Sequence, residues 1–155
     1  MSADYFRALK GMGMTTNRNN QRRGSQVEQI AAHRLVYLGF GLVCRISTPT
    51  AMIRGKRVFS GKAEGDLRAV GPGGVSVLCE CKSRPDRLVF SDFEHHQVAR
   101  LDEHQALGGI SLVAWHRVSE LWILPWDIMR AQGFSKGEGI GSGWAEKNQI
   151  IRGQF

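Results

Sequence analysis

Nothing in these 155 residues approaches the roughly 20 consecutive apolar residues needed to span a bilayer, so no membrane role is expected. The opening stretch MSADYFRALKGMGM lacks the apolar centre and small-residue cleavage site of a signal peptide, and a cytoplasmic protein is expected. Cysteine is scarce. Cys44, Cys79 and Cys81 are too few for a disulfide framework, and each sits in an apolar, strand-like run. They are expected to be buried, reduced thiols acting as small hydrophobes. A zinc site built from Cys79, Cys81 and His95 or His96 is disfavoured, because Cys-x-Cys lacks the two-residue spacer of most structural zinc knuckles.

Acidic residues are the other shortage. Fourteen Asp and Glu face 21 Lys and Arg, for a formal charge of +7 and a pI near 9.8. The surplus lies in the first 70 residues, which hold twelve basic and four acidic side chains; the remainder is close to neutral. A one-sided basic surplus suits a polyanion, since each neutralised phosphate releases counterions. A solvated basic surface is the plainer alternative, and charge alone does not decide between them.

Residues 1–24 are polar, basic and rich in Gly and Asn, without periodicity of either kind, and read as a flexible arm ahead of a domain spanning 25–155. Ser25 then stands as an N-cap with Glu28 at capping-box spacing. Val27, Ile30, Ala31, Leu35 and Leu38 recur at helical intervals up to Gly39, which predicts an amphipathic helix over 25–38. GLVCRIS reads as a strand, with Leu42, Cys44 and Ile46 on one face and Val43, Arg45 and Ser47 on the other. Residues 48–64 form a basic connection with a short strand around 57–60. GDLRAV and VSVLCECK flank GPGG and predict a hairpin. A helix follows, capped by Ser91 or Asp92, carrying Phe93, Gln97, Leu101 and His104 and stopped by Gly108 and Gly109. ISLVAW is a continuous apolar run, as in a central strand covered on both faces. ELWILPW is a further strand ended by Pro125. A short helix over 126–132 and an irregular glycine-rich tail complete the chain. The expected class is α/β, with helices packed on a mixed sheet.

Glu80 and Lys82 share a strand face because side chains alternate with period two, while Cys79 and Cys81 take the other face. Asp66 lies one hairpin away. Two carboxylates and a lysine on adjacent strands suit a hard divalent cation, with the lysine able to stabilise charge on a phosphoryl oxygen. An exposed edge strand with a cross-face salt bridge is the plainer reading of Glu80 and Lys82 alone. Parity raises a conflict. If GPGG is a simple four-residue loop, Val70 pairs with Val75 and Asp66 with Cys79, so the two carboxylates point to opposite faces. An odd loop count or a bulge restores the shared face.

The segments GD and ECK after a hairpin resemble the PD-(D/E)xK nuclease superfamily, with Gly65-Asp66 where Pro-Asp is commonest. RRG ahead of a helix carrying Glu28 is similar to the superfamily's first-helix acid. HHQVARL leading into GGISLVAWH is similar to RecU-like Holliday junction resolvases, with the archaeal resolvases a close second. The resemblance covers residues 22–116. It implies a restriction-endonuclease-like core with a central mixed β-sheet flanked by helices. It also implies Glu28, Asp66 and Glu80 as carboxylates for Mg²⁺ or Mn²⁺, Lys82 as the catalytic lysine and Gln97 as an accessory polar group. For Glu28, completion of the Ser25 capping box is the competing role. His95, His96, His104 and His116 receive no metal role.

The expected function is metal-dependent hydrolysis of four-way DNA junctions. The alternatives are a repair or restriction-type duplex nuclease, or a non-catalytic nucleic-acid-binding module. A pure binder has no reason to keep every charged position of the motif. Symmetric resolution needs two active sites, so a homodimer is expected. DNA contacts are expected from Arg18, Arg22, Arg23, Arg54, Lys56, Arg57 and Lys62, and a prokaryotic cell or its virus as the setting. The chain is short for the RecU-like branch, and on that resemblance the basic segment 48–62 would have to serve as its projecting, junction-contacting element.

Overall fold

Leucine and alanine at helical spacing start the fold. In the computed structural model, which describes residues 3–48, 50–59, 61 and 65–154 (side chains from residue 19, without 20, 21 and 59), helix α1 runs from Ala3 to Leu38. Val27, Ala31, Leu35 and Leu38 are its buried stripe. Ile30, expected on that stripe, is instead 45% exposed. Gly39, at φ 106°, ends the helix, and Phe40 N–H donates to the Leu35 carbonyl at 3.1 Å.

The helix is longer than the 25–38 expected, and residues 3–24, expected as a flexible arm, are helical backbone continuous with it. Nucleation is the costly step of helix formation. Once packing fixes 27–38, a proline-free stretch propagates backwards one bond at a time. Side-chain burial nevertheless begins only at Val27 among the described residues; Arg22, Arg23 and Gly24 are exposed.

Strand β1, Gly41–Arg45, departs from its expected alternation. Its register against β4 shifts between Gly41 and Cys44. Leu42 adopts a positive φ of 49° and is 83% exposed, while Val43 packs on the core. The irregularity also leaves Cys44 exposed, contrary to the buried thiol expected; Cys79 is buried and Cys81 half-buried. The basic connection contains a hairpin of its own, β2 (Thr50–Ile53) and β3 (Lys56–Phe59), a two-stranded sheet separate from the main one. Its turn is Arg54-Gly55, both at positive φ, the geometry that matches the twist of two-residue hairpins.

Next come β4 (Leu67–Val70), β5 (Ser76–Ser83) and the two-residue β6 (Leu88–Val89). Helix α2 (His95–Ala106) leads to β7 (Ile110–Arg117) and β8 (Glu120–Pro125). The N-cap of α2 is Glu94, three and two residues later than the expected caps Ser91 and Asp92, which lie in a separate 3-10 turn. Asp92 serves that turn, accepting from Val89 N–H at 2.9 Å. Helix α3 (Trp126–Ala131) starts directly after Pro125. The tail is less irregular than expected, with β9 (Gly139–Ile140) pairing β6, and α4 over Ser142–Asn148.

The main sheet has the order β1-β4-β5-β7-β8, with β5 and β7 parallel and the other neighbours antiparallel. It is the mixed sheet flanked by helices that the element order implies. Alternation along β5 sends Val77 and Cys79 into the core under α1, with Leu35, Leu38 and Ala69. Leu78 goes to the opposite core, where Leu101 of α2, Trp126 of α3 and Ala145 of α4 pack on Val113 and Trp115. Glu80 and Lys82 therefore project on the α2 side.

Candidate active site

The connection between β4 and β5 resolves the parity conflict. Its 3-10 turn, Pro72–Gly74, carries Gly73 and Gly74 at positive φ, and Gly71 N–H donates to the Val75 carbonyl at 2.8 Å. Val75 belongs to the loop, so Val70 pairs with Ser76 and Leu67 with Cys79. The loop has an odd count, 71–75, where a four-residue turn would have crossed the faces. One more step of this register sets Asp66 opposite Glu80, on one face. Asp66 Oδ2 accepts from Cys81 N–H at 2.7 Å, and Asp66 N–H donates to the Cys79 carbonyl at 3.1 Å. Gly65 allows this approach, because a Cβ there would sit 2.8 Å from Leu78 Cδ1.

Glu80 is 3% exposed, in the middle of β5. Lys82 Nζ lies 3.0 Å from Glu80 Oε1 and donates to Gln97 Oε1 at 2.8 Å. The ammonium also lies 4.9 Å from the centre of the Phe93 ring. Gln97 is the hub. Its Nε2 donates to Glu80 Oε1, and its Oε1 also accepts from Glu94 N–H at 2.9 Å, which fixes the amide orientation and the start of α2. The cap of α2 and the polar cluster therefore share one side chain.

Burial is the main force on both carboxyls. It pushes Glu80 up to about 7, with the nearby Asp66 adding to the rise and Lys82 and Gln97 opposing it. Burial also raises Asp66; the Cys81 N–H, Lys82 and Arg45 pull the other way, and Glu28 adds to the rise. The Cys81 thiol is held well above its usual range, first by a side-chain hydrogen bond with Cys79 and then by burial. Cys81 is accordingly a thiol and no nucleophile.

Glu28 is close enough to Asp66 to be felt electrostatically, but its carboxylate is engaged. Arg45 Nε donates to Glu28 Oε2 at 2.7 Å, and Arg45 NH2 lies 3.2 Å from Ser25 Oγ. Ser25 sits inside α1, so the capping-box role considered for Ser25 and Glu28 does not hold. Arg45 is the site residue that sequence reasoning missed. Its only signal was a charge in an apolar strand, and its partner lies seventeen residues away on another element.

Among the described residues, no three His, Cys, Asp or Glu side chains gather as a ready ligand set. The donor chemistry of the Asp66–Glu80 pair still suits a hard cation. The hydrogen bonds just named use Asp66 Oδ2 and Glu80 Oε1, and among the described residues Oδ1 and Oε2 receive none. A buried Glu80 carboxyl whose charge the half-buried Asp66 disfavours is what a divalent ion would compensate.

Of the basic residues expected to meet DNA, Arg22 and Arg23 are exposed on α1, and Arg54, Lys56 and Arg57 are exposed on the β2–β3 hairpin. The Arg18 side chain and Lys62 lie outside the described residues. No helix among the described residues is long and apolar enough to cross a membrane.

Most of the chain is similar to a solved structure of Archaeoglobus fulgidus Hjc, a Holliday junction resolvase from an archaeal hyperthermophile. The TM-score is 0.52 at 18% identity, over 83% of this chain and 92% of that one. Neither a family model nor a curated protein sequence matches the chain. The likeness establishes the fold, an α/β core of the kind the motif resemblance implied.

Proposed function

We propose that this chain is a metal-dependent endonuclease that resolves four-way DNA junctions by phosphodiester hydrolysis. The observation that carries this reading is the gathering of Asp66, Glu80 and Lys82 on one sheet face, with Gln97 reaching them from α2, within a fold shared with a junction resolvase. The catalytic residues are Asp66, Glu80 and Lys82. Asp66 and Glu80 would hold Mg²⁺ or Mn²⁺, with Glu28 completing the set once Arg45 releases it. When bound, such an ion supplies charge stabilisation at the phosphate and lowers the pKa of the attacking water.

Lys82 brings a fixed positive charge to the mouth of the site. Three neighbours restrain its ammonium, so little reorganisation is needed when charge develops on a phosphoryl oxygen. Gln97 acts as a positioning residue. Its bonds to both Glu80 and Lys82 keep the carboxylate and the ammonium in register with α2. The exposed arginines of α1 and of the β2–β3 hairpin supply phosphate contacts with little sequence information. Two such sites, one in each subunit of a two-fold homodimer, would cut the two strands symmetrically.

The test separates binding from cleavage. Asp66→Asn and Glu80→Gln should each abolish hydrolysis of a synthetic junction while binding in the absence of metal survives, because the basic surface is unchanged. Undiminished turnover in either variant contradicts the assignment. Binding without cleavage in the unaltered chain, at any divalent ion tested, favours a non-catalytic module.

A further inference from the structure

A cavity of about 150 Å³ lies beside β9 and the start of α4, lined in part by Gln132, Phe134, Glu138, Gly139 and Trp144. Aromatic contacts tie it to the candidate active site. The Phe134 ring centre lies 5.8 Å from that of Phe93, which is 4.9 Å from Lys82 Nζ, so Phe134 stands within about 11 Å of the ammonium. Trp144 Nε1, which can only donate, donates to Gln132 Oε1 at 3.3 Å. That bond sets the amide orientation and leaves Gln132 Nε2 as an unused donor among the described residues. The backbone of Glu138 is held, since Phe90 N–H donates to its carbonyl at 3.0 Å. Its carboxylate is exposed and accepts no hydrogen bond among the described residues. Arg87 lies against Gly139, where any Cβ would meet its guanidinium, and it has no ion-pair partner among the described residues.

We propose that this cavity takes one unpaired cytosine of the DNA strand being cut and so gives the enzyme a sequence preference beside its cleavage point. The proposal rests on the nuclease reading, which brings a strand to Lys82. A cavity of this volume holds one benzene-sized ring, so it suits a pyrimidine and excludes the double ring of a purine. Between the pyrimidines, the carboxylate decides. Cytosine offers its N4 amino group to Glu138, and its O2 oxygen accepts from Gln132 Nε2. Thymine sets its O4 oxygen against the Glu138 carboxylate, two acceptors with no hydrogen between them. Trp144 supplies a face on which the base stacks. Arg87 at the rim meets the adjoining phosphate and offsets the repulsion between Glu138 and the DNA backbone.

Distance fits a base close to the reacting phosphate. At the rise of stacked B-form DNA, about 3.4 Å per nucleotide, the span from Lys82 to Phe134 covers roughly three nucleotides, and an unstacked strand covers it in fewer. Taking a base out of the stack costs least where pairing is already disturbed, as at a strand crossover. A branched substrate therefore fills this cavity more readily than continuous duplex does.

The test uses the full chain in chelator and follows the Trp144 indole N–H resonance, assigned by comparison with Trp144→Phe. The probes are deoxycytidine monophosphate, thymidine monophosphate, and two four-way junctions carrying one unpaired cytosine or one unpaired thymine beside the crossover. The expected result is a saturable shift with the cytosine probes and roughly tenfold weaker binding of the thymine ones. Glu138→Gln, at an exposed side chain, should bring the two junctions to near-equal affinity, because a glutamine amide can face either base. An indole resonance unmoved by both junctions would overturn the proposal, as would a preference that Glu138→Gln leaves intact. A response to deoxycytidine monophosphate without one to either junction would overturn it as a DNA site. A chain that prefers the cytosine junction yet never cuts would sink the nuclease reading while sparing this cavity. Cutting of both junctions with no preference between them would do the reverse.

Discussion

Glu80→Gln should stabilise the metal-free protein, and by an amount that depends on pH. In the folded state the Glu80 carboxyl is raised from its ordinary 4.5 to about 7. The protonated form is thus the one the fold prefers. For a raised carboxyl the stabilising contribution is fully present below the unfolded value and is lost as pH rises through about 7. Between pH 5 and pH 8 the native chain should lose roughly 2–3 kcal/mol through this group, taking 1.36 kcal/mol per pKa unit as the conversion. Glutamine copies the neutral carboxyl and cannot titrate, so the variant should escape most of that loss. Asp66 titrates with Glu80 as a pair, which spreads the transition over a wider pH range without changing its sign. The assay is urea unfolding of both proteins at pH 5 and pH 8 in chelator, comparing the change in unfolding free energy between the two pH values. A pH dependence that is identical in the two proteins, or steeper in the variant, would refute the account of Glu80 as a buried, charge-averse carboxyl. Divalent cation added at pH 8 should recover stability in the native chain and not in the variant.

Other outcomes follow from particular contacts. Ser25→Ala should cost well under the roughly 1 kcal/mol typical of a true N-cap, because Ser25 lies inside α1 and only touches the half-exposed Arg45; chemical denaturation measures this. Lys82→Ala should leave junction binding near the native level and lower the single-turnover rate, since its charge acts at the reacting phosphate; loss of affinity instead would make Lys82 a binding residue. Deleting residues 1–23 should preserve cooperative unfolding, as burial begins at Val27, while weakening DNA binding and flattening its salt dependence. Loss of the cooperative transition would show that this part of α1 packs on the domain.

The chemistry was legible in the sequence because it depends on local periodicity. Period two alone put Glu80 and Lys82 on one face. Parity alone showed that Asp66 needed an odd turn, and the glycines of GPGG marked where Val75 could be drawn into the loop. The helix carrying Gln97 and the apolar run of β7 were readable for the same reason. What failed to show were features set by tertiary partners. Arg45 reaching Glu28 and Leu42 turning outward depend on a neighbour remote in sequence or on a local bulge. Cys44 looked buried because it sits in an apolar run, and the register shift beside it placed it outside. The α1 start was missed because residues 3–24 have no apolar stripe, and continuation from a packed helix leaves no such mark. The cavity at Trp144 did not show because most of its lining falls in the glycine-rich stretch that reads as an irregular tail.

The central claim is that Asp66, Glu80 and Lys82 form the hydrolytic site of a junction-cutting enzyme. The most direct measurement is incubation of the full chain with an end-labelled synthetic four-way junction, with Mg²⁺ and with chelator, resolving the products on a sequencing gel. Paired, symmetric nicks near the crossover, dependent on Mg²⁺ and lost in Asp66→Asn, are the predicted result. Cleavage that persists in chelator, or that persists in Asp66→Asn, would contradict it.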